Sequence, residues 1–396
     1  MSARLIARSP DLQRLQDEGY EIEARSGYLI VRSVPYVTPL KAVALGIVVT
    51  DIALNDDIAQ KPGDHQIWFA GEQPCHVTGQ PIGALGPQPC KQTLCDGVAV
   101  DFRFSAKADY PDYHAKITQY VEILSNPARA LEPGNAAITA QTFRPVEASE
   151  QESVFLYTDS ASSRAGIVPV SAKLAMNRIA IVGLGGSGAY VLDLLAKTHA
   201  REIHLFDGDR FLQHNAFRSP GAVSLDDLRK IVSKVQYYAD VYGRMRRGVV
   251  PHPEFVDSES IGNLAGFDFV FVCVDRPTAR KLISDFLRAH DTPFIDVGME
   301  LELIDEQATI IGACRVTLST PAKREHFPRH VSLDGVVTDD LYGTNIQVAD
   351  MNALNAALAV VKWKKFCGFY QDCYQEHQSV YMTNTHQLTR DETTRA

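Results

Sequence analysis

Two kinds of hydrophobic pattern divide the chain. Within residues 1–155, the apolar runs "GYLIVRSV", "AVALGIVVTDIAL" and "HQIWFAG" predict strands, preceded by a short helix from Pro10 to about Glu18. A turn-rich stretch from Gly71 to Gly97 follows them. Then Ile117, Tyr120, Val121 and Leu124, at helical spacing, predict a helix over Tyr113–Leu131. The pattern is irregular from Glu132 to Ser162, as a connection would be. In residues 156–396 the pattern changes: "RIAIVGLG", "EIHLFDGD", "FDFVFVCVD" and "PFIDVGMEL" are short apolar strands separated by amphipathic segments. That alternation predicts a doubly wound, mostly parallel sheet, with ligand at the carboxyl ends of its strands. A long helix is expected in "IQVADMNALNAALAVVKWKKFCGFY", with Gly368 as its stop. The expected fold is therefore α/β, a smaller mixed α/β amino-terminal module preceding the doubly wound domain.

The chemistry starts at "IAIVGLGGSGAYVLDLLAK", which reads strand, glycine turn, helix. Gly183, Gly185, Gly186 and Gly188 would let the backbone approach a phosphate and aim amide N–H groups at it, with the helix dipole behind them. Asp207 falls roughly 20 residues on, where a carboxylate holds a ribose. An NAD-dependent oxidoreductase would show the same two features. What separates the readings is the continuation "DGDRFLQHNAFRSPG", with Asp209, Asn215 and Arg218, then Lys234 in "SKV" and Asp275 in "CVDRPTAR". Arg218 and Lys234 would neutralise a triphosphate, Asn215 would bond a phosphate or a metal-bound water, and Asp275 would hold Mg²⁺. Taken singly, the two cations read as surface charges and Asp275 as a helix N-cap. Their order along successive strand ends is what points to one crevice.

Bulk properties narrow the field. A net charge of −9 argues against nucleic acid as the main partner, and the N-terminus lacks the apolar core of a signal peptide. No window reaches the length of a membrane span, so a cytoplasmic protein is expected. The seven cysteines contain no CxxC pair and read as free thiols. Cys90, Cys95 and His76 lack the tight ligand spacing of structural zinc, and zinc is not expected.

Together, "GLGGSG", "DGD", "HNAFRSPG", "SKV" and "CVDRPTAR" resemble the motifs of the ThiF/MoeB and ubiquitin-activating adenylyltransferase superfamily, over about Arg164 to Leu358. The resemblance implies a Rossmann-like adenylation domain that binds ATP and Mg²⁺. It implies that a small ubiquitin-like (β-grasp) protein ending in glycine offers its carboxylate to the α-phosphate, giving an acyl adenylate. It gives Asp207 the ribose, Asn215, Arg218 and Lys234 the phosphates, and Asp275 the metal, with Asp209 a second acid there. Arg164 matches an upstream arginine that reaches a partner subunit's site, and a homodimer is implied. The amino-terminal module resembles that of bacterial ubiquitin-activating-like proteins encoded beside ubiquitin-like and conjugating-enzyme-like partners. Antiviral defence is the setting so implied, with partner docking as the module's expected role.

The sequence also departs from the pattern. The crossover stretch "STPAKREHFPRHVSLDGVVTDDLYGTN" has no cysteine for a thioester, and Cys314 just before it reads as a buried strand residue. Cys367, Cys373 and Cys75 beside His76 are the remaining thiol candidates. The zinc-binding pairs of the sulfur-carrier branch are missing, which ranks sulfur-carrier activation second and the oxidoreductase third.

Overall fold

The chain divides into two units, Met1–Ser153 with Tyr157–Pro169, and Val154–Leu156 with Val170–Ala396. The structure, a computed structural model, describes residues 2–95, 97–146, 153–304, 308–333, 346–391 and 393. In the first unit, helices α1 (Ser2–Arg8) and α2 (Pro10–Asp17) precede strands β1 (Ile22–Arg25), β2 (Tyr28–Val37) and β3 (Val43–Asp51). A ribbon of β4 (Leu54–Asn55) and β5 (Ile58–Ala59) leads to β6 (Gln66–Ala70), β7 (Gln88–Cys95) and β8 (Val98–Ser105), then α3 (Tyr113–Leu131) and α4 (Ser160–Arg164). The sheet is antiparallel in the order β1-β2-β3-β6-β8-β7.

One face of that sheet is covered by α3, whose Tyr113, Ile117, Tyr120 and Leu124 share a core with Leu29, Val31, Val48 and Phe104. Asp112 starts the helix by accepting the Ala115 N–H at 2.7 Å. Lys116 is fully buried, and its Nζ donates to Thr50 Oγ1 at 2.9 Å and to the Asp64 carbonyl at 3.0 Å. The turn-rich stretch expected from Gly71 to Gly97 contains strand β7. Its sequence "QPCKQTLC" is polar and largely exposed, because an edge strand needs no buried face. Only its pairing with β8 makes it a strand.

The second unit carries α5 (Val168–Ser171, across the change of unit), β9 (Arg178–Val182), α6 (Gly186–Ala196), β10 (Glu202–Phe206), α7 (Gln213–Ala216), α8 (Leu225–Lys230) and α9 (Lys234–Tyr242). There follow β11 (Val249–His252), β12 (Phe269–Val272), α10 (Pro277–Ala289), β13 (Phe294–Ile304), β14 (Thr309–Ser319), α11 (Phe327–His330), α12 (Ala349–Phe366), β15 (Gln378–Met382) and β16 (Gln387–Asp391). The sheet order is β11-β10-β9-β12-β13-β14-β15-β16, parallel through β13 and antiparallel beyond it. Strand β12 and, after Arg178, strand β9 are apolar throughout because both of their faces are buried. Ile179, Ile181, Phe269 and Phe271 join Leu192, Val235 and Trp363 on one side. Ala180, Val182, Val270 and Val272 join Ile283 and Leu287 of α10 on the other. The chain leaves β9 for β10 on one flank and returns to β12 on the other, and that reversal opens a crevice at the strand ends.

Candidate functional site

The crevice at this switch point is a cleft of about 1220 Å³, built wholly within the second unit. Its wall starts where β9 ends. Gly183 has φ +89°, and a Cβ there would lie 2.6 Å from the Cys273 carbonyl oxygen, so no side chain fits between the two strand ends. A Cβ on Gly188 would run into the Gly183 carbonyl, which lets α6 close directly onto the turn. Gly185 is the N-cap of α6 and brings no capping side chain. The first N–H groups of the helix are left for a ligand. Gly183, Gly185 and Gly186 line the cleft, while Gly188 stands behind them.

Asp207 follows β10 and is buried, its Oδ2 accepting the Leu184 N–H at 2.6 Å and its Oδ1 the Asp209 N–H at 2.8 Å. Burial raises its carboxyl above the usual range, and the Lys234 ammonium and the two N–H groups oppose that rise. Lys234, the first residue of α9, is 5% exposed; its Nζ lies 2.7 Å from Asp209 Oδ2 and 3.6 Å from Asp207 Oδ1. Ser233 caps that helix by accepting the Gln236 N–H, which fixes the lysine at the cleft. Arg218 also lines the cleft, and its Nε is buried without a hydrogen-bond partner. A buried guanidinium donor left open this way suits a phosphate oxygen.

Asp275 follows β12 as an exposed residue of the cleft wall. The N-cap of α10 is Arg276, with Pro277 in the first turn, so Asp275 is not the cap that its sequence context suggests. Among the described residues no set of three or more His, Cys, Asp or Glu side chains gathers as a metal site. One free carboxylate suits magnesium, which keeps most of its waters and takes substrate phosphates as ligands. Asp209 is engaged by Lys234, which makes it the lysine's anchor.

Two more of the expected residues are not part of the cleft lining. Asn215 is buried in the turn around α7, where its Oδ1 accepts the Leu212 N–H at 2.8 Å, and it is not part of the cleft lining. Arg164 lies in the first unit, on α4, with its Nε 2.9 Å from Asp17 Oδ1.

Three features escape a reading by motif. Asp296 of β13 is fully buried between Arg280, whose Nε donates to its Oδ2 at 3.0 Å, and Arg315 of β14, whose Nη2 donates to its Oδ1 at 2.7 Å. Both arginines line the cleft, and the signal in the sequence is a charged residue set among apolar and small ones, Asp296 in "FIDVG" and Arg315 in "ACRV". Phe255, 56% exposed, lies across the Asp207–Asp209 turn; a Cβ on Gly208 would come within 2.5 Å of its ring. Asn352 of α12 reaches the cleft at the glycine turn from an otherwise alanine- and leucine-rich helix.

The thiols divide by burial. Desolvation pushes Cys314 and Cys367 up to about 12, raises Cys75, and raises Cys273 in the cleft wall further still. Each is held as the poorly nucleophilic thiol. Cys373 is exposed. Of the crossover stretch 319–345, residues 334–345 lie outside the described residues.

The cleft gathers a glycine turn, a buried carboxylate and two cations at the switch point of a doubly wound sheet, where such α/β domains take their ligands. The chain belongs to the ThiF family of adenylyltransferases, which matches residues 162–386. Residues 10–160 match a domain of unknown function, DUF6791. Similar solved structures include E. coli MccB with MccA-N7isoASN, at 20% identity and TM-score 0.46, over 60% of this chain and 71% of that one. Another is E. coli MccB with ATP, at 20% identity and TM-score 0.45, over 60% and 70% of the two chains. PaaA is similar at 17% identity and TM-score 0.43, over 57% and 75%. No curated protein matches the chain. Among the described residues no helix is long and apolar enough to cross a membrane.

Proposed function

We propose that this protein adenylates the C-terminal glycine of a ubiquitin-like protein, using Mg-ATP, as the activating enzyme of a bacterial ubiquitin-like conjugation system. The observation that carries the reading is the gathering of the glycine turn, Asp207, Lys234, Arg218 and Asp275 around one cleft. Phe255 offers a face for the base, and buried Asp207 accepts hydrogen bonds from the ribose hydroxyls. Arg218, Lys234 and the N–H groups at the start of α6 hold the phosphates. Asp275 holds the magnesium ion, which supplies charge neutralisation on the triphosphate.

The step itself needs little acid–base chemistry. A carboxylate oxygen of the substrate attacks the α-phosphorus, the new oxygen–phosphorus bond forms, and the bond to the bridging oxygen of the β-phosphate breaks. Pyrophosphate leaves with that electron pair, and no proton moves. A weak nucleophile approaching a polyanion requires alignment and fixed positive charge, which the two preorganised cations provide. Arg280 and Arg315, held on Asp296, add positive charge to the floor where the substrate's terminal carboxylate would enter.

Burial keeps the thiols of Cys75, Cys273, Cys314 and Cys367 protonated, so the adenylate passes in this reading to the thiol of a conjugating-enzyme-like partner. The first unit docks that partner or the ubiquitin-like protein, and the enzyme works in the cytoplasm as a homodimer. Exchange of radiolabelled pyrophosphate into ATP tests the central claim. It is expected only when a β-grasp protein ending in glycine is present, and to vanish when that glycine is deleted. Exchange supported by a sulfur-carrier protein alone would move the assignment to that branch, and no exchange with either would remove the reading.

A further inference from the structure

Asn352 is 1% exposed, yet it lines the cleft. Its Oδ1 accepts a hydrogen bond from Ser187 Oγ at 2.9 Å, which leaves Nδ2 as the free end of the amide. That Nδ2 is buried without a hydrogen-bond partner. The amide lies against Gly186, where any Cβ would strike it, so the glycine makes room for this side chain as well as for a ligand. Beside it, the first turn of α6 has no side-chain cap. A buried amide donor, uncapped backbone N–H groups and the positive end of a helix thus face the same point. The chemical complement of that point is an anionic oxygen that can accept from all of them at once.

We infer that Asn352 is a phosphate-binding residue: its Nδ2 donates to a phosphoryl oxygen of the nucleotide seated at the start of α6. Ser187 is its positioning residue, holding the amide so that the donor end faces the ligand. This rests on the nucleotide-site reading above and adds a contact from α12, an element outside the glycine turn. The contact falls on the phosphate chain, because the donor lies at the start of α6 and not at Asp207, and AMP and ATP carry a phosphate that adenosine lacks.

Isothermal titration calorimetry on the full chain, with adenosine, AMP and Mg-ATP, separates the possibilities. Asn352→Asp exchanges the donor for a carboxylate of the same shape. It is expected to weaken AMP and Mg-ATP by about tenfold or more while adenosine stays within about twofold. Asn352→Ala should show the same selectivity with a smaller loss, and it carries the comparison if the aspartate disturbs α12. A parallel loss for adenosine and AMP in both variants would mean that Asn352 only packs α12 against α6, and would overturn the assignment. Unchanged affinities in both would overturn it too. A wild-type chain that binds none of the three would instead overturn the nucleotide-site reading, and this inference with it.

Discussion

Asp275 stands one residue ahead of the N-cap of α10, and that single position decides its chemistry. A capping aspartate would spend its carboxylate on backbone N–H groups; here Arg276 and Pro277 begin the helix, and the Asp275 carboxylate faces the cleft. Asp275→Ala is expected to abolish ATP–pyrophosphate exchange while changing the unfolding free energy by no more than about 0.5 kcal/mol, as an exposed site should. Denaturant unfolding beside the exchange assay checks both halves. Arg218 is the complementary case, a cation with a buried, unpaired Nε. Arg218→Ala should slow exchange about 10²- to 10³-fold, the loss of about 3–4 kcal/mol typical of one preorganised donor to developing charge. A comparable loss in nucleotide affinity, with the chemical step unchanged in single-turnover measurements, would make Arg218 a binding group only.

At the scale of elements, the placement of α12 matters most. Its apolar residues Ala356, Ala359, Val360 and Trp363 enter the core beside α6, and Asn352 and Asn355 face the sheet and cleft. Its carboxyl end is tied down by Lys362, 3% exposed, whose Nζ donates to the Glu376 carbonyl at 3.1 Å and lies 3.5 Å from Glu376 Oε1. Burial lowers the Lys362 ammonium from 10.5 to about 8, against the pull of Glu376. Between those values the folded chain binds fewer protons than the unfolded one, so stability rises with pH across that window. Relative to Lys362→Met, the wild type should gain stability from about pH 8 to 10.5, with a slope no steeper than about 1.4 kcal/mol per pH unit. Denaturant titrations at several pH values measure it, and a falling difference would refute the depressed lysine.

For the whole molecule, the sharpest expectation is which ligand stabilises it. Mg-ATP at about 100 times its dissociation constant should add about 2.7 kcal/mol to native stability, and NAD⁺ at the same concentration should add nothing. Thermal unfolding of the intact chain reads this directly. Stabilisation by NAD⁺ alone would return the glycine turn to a dinucleotide and remove the adenylation reading. The same material, run by sedimentation, reports whether the chain pairs with itself.

The order of elements was legible in the sequence wherever burial imposes a period. Strands β9, β10 and β12 show as apolar runs because both faces are buried, α3 shows its helical stripe, and Gly368 with φ +72° stands just past α12. The residues at the strand ends were legible for the same reason, since a motif follows the strand that presents it. Strand β7 was not, because a polar edge strand is specified by its neighbour β8 and not by a pattern of its own. The turn holding Asn215 Oδ1, the engagement of Asp209 by Lys234, and the Arg280–Asp296–Arg315 group depend on distances between segments far apart in the chain. Sequence spacing fixes which residues a strand or helix presents. Which of them meet, and which polar atoms are left unpaired for a ligand, is decided only when the sheet closes and water is excluded.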